Sequence, residues 1–182
     1  MREANPEGKG GMFSIIQEAV PADALLKTYR GGVHPERWER YSDCFTIIAD
    51  REVSLSDFVF AFYTSAIFRI ERLVLQVLLG APSSRSDARA LADGSAVRFA
   101  VWYVGERTAT QLLMCDRFER TRSWFCVEPM QGGKTRLQFG SAVASGNVDA
   151  NGAVLDRRFN ALLWFHTLYS QVLLHAATLN LR

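Results

Sequence analysis

Residues 97–144 contain four strand-like segments joined by short polar connectors, in the run VRFAVWYVGERTATQLLMCDRFERTRSWFCVEPMQGGKTRLQFGSAVA. The segments are Val97–Val104, Thr110–Asp116, Thr121–Glu128 and Thr135–Ala144, and each is rich in β-branched and aromatic residues. Connectors this short favour antiparallel hairpins, because parallel pairing needs a crossover of about a dozen residues or more. The run therefore predicts an antiparallel meander.

Alternation along these strands assigns their side chains to two faces. The face expected to point inward is mostly apolar and consists of Phe99, Val101, Tyr103, Leu112, Met114, Asp116, Ser123, Phe125, Val127, Leu137, Phe139, Ser141 and Val143. The opposite face carries polar residues such as Arg98, Gln111 and Arg122. Trp102 and Trp124 also fall on this more solvent-exposed face, and the alternation does not explain why two large aromatic residues lie there.

The rest of the chain predicts one further strand, Cys44–Ala49, and two long helices. Ser54, with an acidic residue three positions later, is a helix start, and the following run to Leu79 contains no Gly or Pro. A shorter helical segment spans residues 83–93. The chain ends in a helix from about residue 156 to residue 179, which is apolar on two flanks.

The polar, glycine-rich start predicts a leader over residues 1–40 that is partly disordered and contains a short helix near Pro21–Leu26. Residues 41–182 are expected to form a single domain, a normal size for one hydrophobic core. No internal repeat or long linker interrupts them.

Composition narrows the classes of function. The 182 residues are 48% hydrophobic and 22% charged, which is typical of a packed globular protein. A net charge of +2 gives no strongly positive electrostatic potential with which to bind nucleic acid, so we expect no nucleic-acid partner. The most apolar stretch, residues 58–68, is too short for a membrane span and charged residues follow it.

Cysteine and motif content predicts a cytoplasmic protein with no metal and no cofactor. Cys44, Cys115 and Cys126 include no CxxC pair, and the three histidines are scattered. The phosphate-binding loop and the nucleophile elbow are both missing from the sequence.

The order strand, long helix, short helix, meander and terminal helix resembles the helix-grip fold of the START-related superfamily, which includes polyketide cyclases and ligand carriers. The segments that carry the resemblance are YSDCF at 41–45, QLLMCD at 111–116, RTRSWF at 120–125 and FHTLYS at 165–170, and they also resemble a bacterial subgroup of that superfamily. The resemblance implies an α+β fold in which a curved antiparallel sheet wraps around a long C-terminal helix. We expect one strand before the helices and four after them.

Superfamily members typically hold an apolar ligand between the sheet and the terminal helix. Carried over, this implies a small hydrophobic or aromatic ligand bound by Phe99, Val101, Tyr103, Leu112, Met114, Phe125, Phe139, Leu162, Leu163 and Tyr169. The same side chains would also fill a solid core, since protein interiors pack densely. The sequence leaves both interpretations open.

Two further hypotheses concern chemistry and assembly. His166, on the apolar stripe of the terminal helix, has the reference pKa of about 6.5 that suits acid–base work, and with Asp116 it would make a cyclase or dehydratase. The alternative is a buried histidine with a structural partner and an Asp116 that caps a hairpin. A third hypothesis is a non-catalytic homodimer that uses a surface patch of Trp102, Trp124 and Trp164.

A small basic cluster, Arg117, Arg120 and Arg122, follows the second strand of the meander. Two interpretations stay open: the cluster binds an anionic ligand, or its side chains are the solvated residues of a hairpin.

Overall fold

The computed structural model describes residues 15–32, 42–66, 68, 83–144 and 171–181. Their elements, in chain order, are β1 Ile16–Gln17, α1 Leu25–Thr28, β2 Ser42–Ala49, α2 Leu55–Tyr63, α3 Arg85–Ala92, β3 Arg98–Phe99, β4 Trp102–Arg107, β5 Gln111–Asp116, β6 Thr121–Met130, β7 Lys134–Val143 and α4 171–180. The seven strands of these ranges form one antiparallel sheet in the order β1-β2-β7-β6-β5-β4-β3. The fold is therefore α+β.

The meander expected from residues 97–144 is confirmed, since β4, β5, β6 and β7 pair successively. The β6–β7 hairpin closes through Gly132 and Gly133, whose φ angles are 76° and 69°. Glycine adopts this left-handed conformation without the steric cost that a Cβ atom imposes. The short connector QGGK therefore closes an antiparallel hairpin, as the connector lengths predict.

The expected strand count is wrong, because within the described ranges two strands precede α2 and α3 and five follow them. The segment predicted as one strand over residues 97–104 is split by a two-residue turn, Ala100–Val101, so that β3 folds back on β4. Neither turn residue is Gly or Asn, the usual signature of a tight hairpin. Instead Ala100 itself takes a positive φ of 51°.

This turn reverses the predicted faces of β4. Trp102 and Val104 pack with Phe99 against the core that contains α2, whereas Tyr103 lies on the other side of the sheet. The predicted alternation treats residues 100 and 101 as extended, but they form a turn, so each predicted face in β4 is inverted. The predicted common face of Phe99 and Tyr103 is therefore wrong.

Helix α2 begins where predicted, with the Ser54 hydroxyl accepting a hydrogen bond from the Asp57 backbone N–H at 3.0 Å. The prediction of one uninterrupted helix as far as residue 79 is wrong, because α2 ends at Tyr63. The Thr64 hydroxyl donates to the Phe60 carbonyl, and the Ser65 hydroxyl accepts from the Phe68 N–H. Such side chains compete with the helical backbone and mark a break. Residues 69–82 lie outside the described ranges.

Helix α3 confirms the helical tendency predicted for residues 83–93. Ser84 and Asp87 form a reciprocal capping box, and Gly94 follows the helix with a φ of 80°. The last helix is described over 171–180, within the predicted terminal helix, and buries Leu173, Leu174 and Ala177. Residues 145–170 lie outside the described ranges. No helix among the residues described is long and apolar enough to cross a membrane.

Both faces of the sheet are covered. The first face packs on α2, α3 and α4, and the second face is covered by residues 20–29, which we call the N-terminal cover. Gln111 links the N-terminal cover to the sheet. Its side-chain oxygen accepts hydrogen bonds from the Leu25 N–H at 3.0 Å and from the Trp124 indole N–H at 2.7 Å. This contact explains why Trp124, predicted on the more solvent-exposed face, is only 1% exposed. Residues 15–32 thus belong to the same packed unit as the sheet.

Candidate functional site

The candidate site lies where the β3–β4 turn meets the β5–β6 turn. The backbone N–H of Arg117 donates to the Val101 carbonyl at 2.9 Å and holds the two turns together. The positive φ of Ala100 folds β3 sharply onto β4 and brings Arg98 opposite Tyr103 in the register. The β3–β4 and β5–β6 turns together therefore build a concave corner at the β3 end of the sheet.

This corner encloses a pocket of about 340 Å³, which we call the turn pocket. Its lining consists of Arg98, Ala100, Val101, Trp102, Tyr103 and Arg117. Val101 is buried, Trp102 and Tyr103 are half-buried, and the two arginines are exposed. The pocket thus combines an apolar and aromatic wall with a cationic rim, and its lining contains no carboxylate.

Arg117 is positioned by the residue that follows it. Its guanidinium carbon lies 4.6 Å from the centroid of the Phe118 ring, and that of Arg120 lies 5.7 Å from the same centroid. Such contacts are favourable because the ring face is electron-rich. Phe118 is 49% exposed, so the stacked pair lies at the surface beside the turn pocket.

Asp116, predicted either as a catalytic acid or as a hairpin cap, has the geometry of the cap. Its carboxylate accepts from the backbone N–H groups of Phe118 at 2.6 Å and Arg120 at 3.0 Å, and from both the N–H and the hydroxyl of Thr121. These four donors occupy both carboxylate oxygens within the β5–β6 turn. His166, the predicted catalytic partner, lies outside the described residues, so the pairing of the two stays a prediction.

Tyr103 connects the turn pocket to a polar cluster under the N-terminal cover. Its hydroxyl interacts with the Cys115 thiol, and burial raises the pKa of Tyr103 to about 12 and that of Cys115 to about 11. Nearby, Arg122 donates to the Gly31 carbonyl at 2.7 Å and lies over the Tyr29 ring. At neutral pH both the phenol and the thiol are protonated, so neither is an activated nucleophile.

The other predicted ligand-binding residues of the sheet are packed against α2. Phe99, Leu112, Met114, Phe125 and Phe139 are all buried. The Phe62 ring lies 4.8 Å from the Phe125 ring and 4.7 Å from the Phe139 ring, measured between centroids. These contacts correspond to the solid-core interpretation wherever α2 covers the sheet.

Four predicted site residues lie outside the described ranges, namely Leu162, Leu163, His166 and Tyr169. Of the predicted set, Val101 and Tyr103 are brought together in the turn pocket.

Sequence reasoning missed Arg98, Trp102 and Arg117 as neighbours of one pocket. Arg98 and Trp102 were assigned to the more solvent-exposed face, and Arg117 was noted only as part of a basic cluster. The basic residues after position 116 were a usable signal for a charged site. Because no sequence pattern marks the β3–β4 turn, these residues could not be placed next to Arg98.

Comparisons with models of protein families, with curated proteins and with solved structures found no match for this chain.

Proposed function

We propose that this protein binds a small organic molecule in the turn pocket. The observation that carries the proposal is a concave space of about 340 Å³ with mixed aromatic and charged walls. Small-molecule sites typically measure roughly 300–1,000 Å³ and combine apolar walls with a few placed polar groups. The turn pocket lies at the lower end of that range, so its ligand is small.

The walls favour a flat apolar body. Val101 is a buried aliphatic residue of the lining, and Trp102 and Tyr103 are half-buried aromatic residues that reach it from the two sides of the sheet. Aromatic side chains stack or meet edge to face with another ring and gain about 0.5–1.5 kcal/mol beyond simple area burial. An aromatic or alicyclic group is therefore the preferred occupant.

This proposal keeps the class of function expected from the sequence and moves its location. Between the sheet and α2, the aromatic side chains of the protein fill the space that a ligand would need. The helix-grip assignment remains part of the proposal. It is supported by the antiparallel strand order, by α2 and α3 between β2 and β3, and by the terminal helix.

The two alternative functions have weaker support. The carboxylate of Asp116 is fully engaged by its own turn, which does not favour an acid–base role. Trp124 is covered by residues 20–29, so it does not join Trp102 in an exposed patch for a homodimer.

A matched pair of valine substitutions tests the proposal. Val101→Phe fills the turn pocket, whereas Val97→Phe places the same ring on an exposed site four residues away, where Val97 is 67% exposed. The probe is 2-naphthamide, a neutral aromatic molecule, titrated by calorimetry. We expect Val101→Phe to weaken binding at least about tenfold, as a loss of roughly 1.4 kcal/mol does, and Val97→Phe to leave it unchanged.

Thermal unfolding of both variants checks that each is folded before titration. Equal binding to the wild type and to folded Val101→Phe would place the ligand elsewhere. Absence of saturable binding to the wild type would refute the proposed function.

A further inference from the structure

We infer that the turn pocket selects an organic anion, a small aromatic or alicyclic molecule with a carboxylate or phosphate group. This inference rests on the proposed function and names the class of its ligand. It is carried by Arg98 and Arg117, which line one pocket from two different hairpins.

The lining carries two positive charges that nearby acids do not neutralise. Ion pairs within the described residues include those of Arg89 with Asp93, Lys134 with Asp50 and Arg136 with Glu128, and neither pocket arginine takes part in these three.

The two nearest acidic residues in sequence are directed elsewhere. The Asp116 carboxylate accepts four hydrogen bonds inside its own turn. The Glu119 carboxylate approaches Gly32, as the Arg122 guanidinium does, and Glu119 is not part of the pocket lining. An anion entering the pocket therefore meets a lining that contains two arginines and no carboxylate.

Arg117 is arranged to bind an anion through its edge. Its guanidinium carbon lies over the Phe118 ring, and its backbone N–H donates to the Val101 carbonyl. The planar guanidinium carries its N–H donors at its edge, where they match the two oxygens of a carboxylate or phosphate. The contact with the ring also reduces the side-chain freedom that is lost on binding.

The shape of the site favours a small anion over a polyanionic surface. Nucleic acids and anionic membranes are bound by broad basic areas, but this chain has a net charge of only +2. The turn pocket instead places its two charges around a concave aromatic wall. Its occupant should carry charge at one end and apolar surface at the other.

The test compares three probes of the same aromatic body, 2-naphthamide, 2-naphthoate and 2-naphthyl phosphate, by calorimetric titration. The carboxylate and the amide have nearly the same shape and differ in charge. We expect at least one anion to bind about tenfold more tightly than the amide at low salt, with the difference shrinking between about 20 and 300 mM NaCl because salt screens exposed charges. The anion that binds more tightly identifies the head group.

The double variant Arg98→Gln/Arg117→Gln should reduce the affinity for the anions to that for the amide. The matched control, Arg85→Gln/Arg89→Gln, removes the same charge from α3, where both guanidinium groups lie over Phe60. It should keep the preference for anions.

Equal binding of all three probes to the wild type would overturn the inference while the proposed function stands. A preference for anions that survives in the folded Arg98→Gln/Arg117→Gln variant would overturn it as well. If no probe binds, the proposed function itself fails.

Discussion

Replacing Gln111 by leucine should release the N-terminal cover from the sheet. The Gln111 side-chain oxygen is the acceptor for two N–H groups, those of the Trp124 indole and the Leu25 backbone. Leucine has a similar volume but no acceptor, so both donors would lose their partner. Trp124 is 1% exposed, which leaves its indole N–H no route to water while the cover stays in place.

The expected loss of stability follows from those two donors. A buried polar group without a partner costs about 1–3 kcal/mol. The indole N–H and the Leu25 N–H, which lies in the first turn of α1 and has no partner within the helix, should each cost an amount near the lower end of that range. We therefore expect the free energy of unfolding to fall by about 2–3 kcal/mol.

Urea unfolding followed by circular dichroism gives this difference, and hydrogen exchange of the Trp124 indole N–H reports on the cover locally. Gln111→Glu keeps an acceptor oxygen and should recover most of the stability. Gln131→Leu, in the exposed β6–β7 turn, is the matched control and should change stability by less than about 0.5 kcal/mol. A Gln111→Leu protein as stable as the wild type, with a protected Trp124 indole, would refute the role of Gln111.

Three other substitutions or conditions test the fold around the site. Ala100→Gly should raise the free energy of unfolding, measured by urea denaturation, by about 0.5–1 kcal/mol, since glycine relieves the strain of the left-handed conformation. The control Ala90→Gly, inside α3, should lower it by about 1 kcal/mol. Asp116→Asn should lower it by about 2–3 kcal/mol, because one acceptor and the charge are lost from the β5–β6 turn, and an unchanged urea midpoint would contradict the cap. Stability should also fall between about pH 9 and pH 11, because burial raises the pKa of Cys44 and of Cys115 to about 11. The folded state keeps these thiol protons while the unfolded state releases them, so the contribution is complete below the unfolded pKa and is lost as the pH rises. A urea titration series across this range, compared with that of Cys115→Ala, should show the shallower slope in the variant.

The sequence predicted best what local chemistry determines. The capping residue Ser54 begins α2, a helix forms at residues 85–92 within the predicted segment, and the short connector at residues 131–134 closes the β6–β7 hairpin. Each of these features depends on residues within about four positions of one another. Pattern and propensity are sufficient for such elements.

The β3–β4 turn was missed because its residues carry no turn signal. Ala100 and Val101 continue a strand-like run, and the energy that holds them in a turn comes from elsewhere, including the Arg117 N–H bound to Val101. A contact between distant residues overrode local propensity. Since the turn also creates the pocket, the site could not be assembled from periodicity.

The N-terminal cover was missed for a related reason. Leu25 and Gln111 are 86 positions apart, and no local pattern joins them. One signal did exist, because residues 112–115 are continuously apolar, as is typical of a strand buried on both faces. That run, together with Trp124, indicated that something covers the second face of the sheet.

The most direct test of the central claim is an NMR titration of the wild-type protein with 2-naphthoate. Two indole N–H signals serve as reporters, since Trp102 lines the turn pocket and Trp124 lies under the N-terminal cover, bound to Gln111. We predict that the Trp102 signal shifts and saturates with the ligand while the Trp124 signal stays in place. A saturable shift of Trp124 without one of Trp102, or no saturable shift of either, would contradict a binding site in the turn pocket.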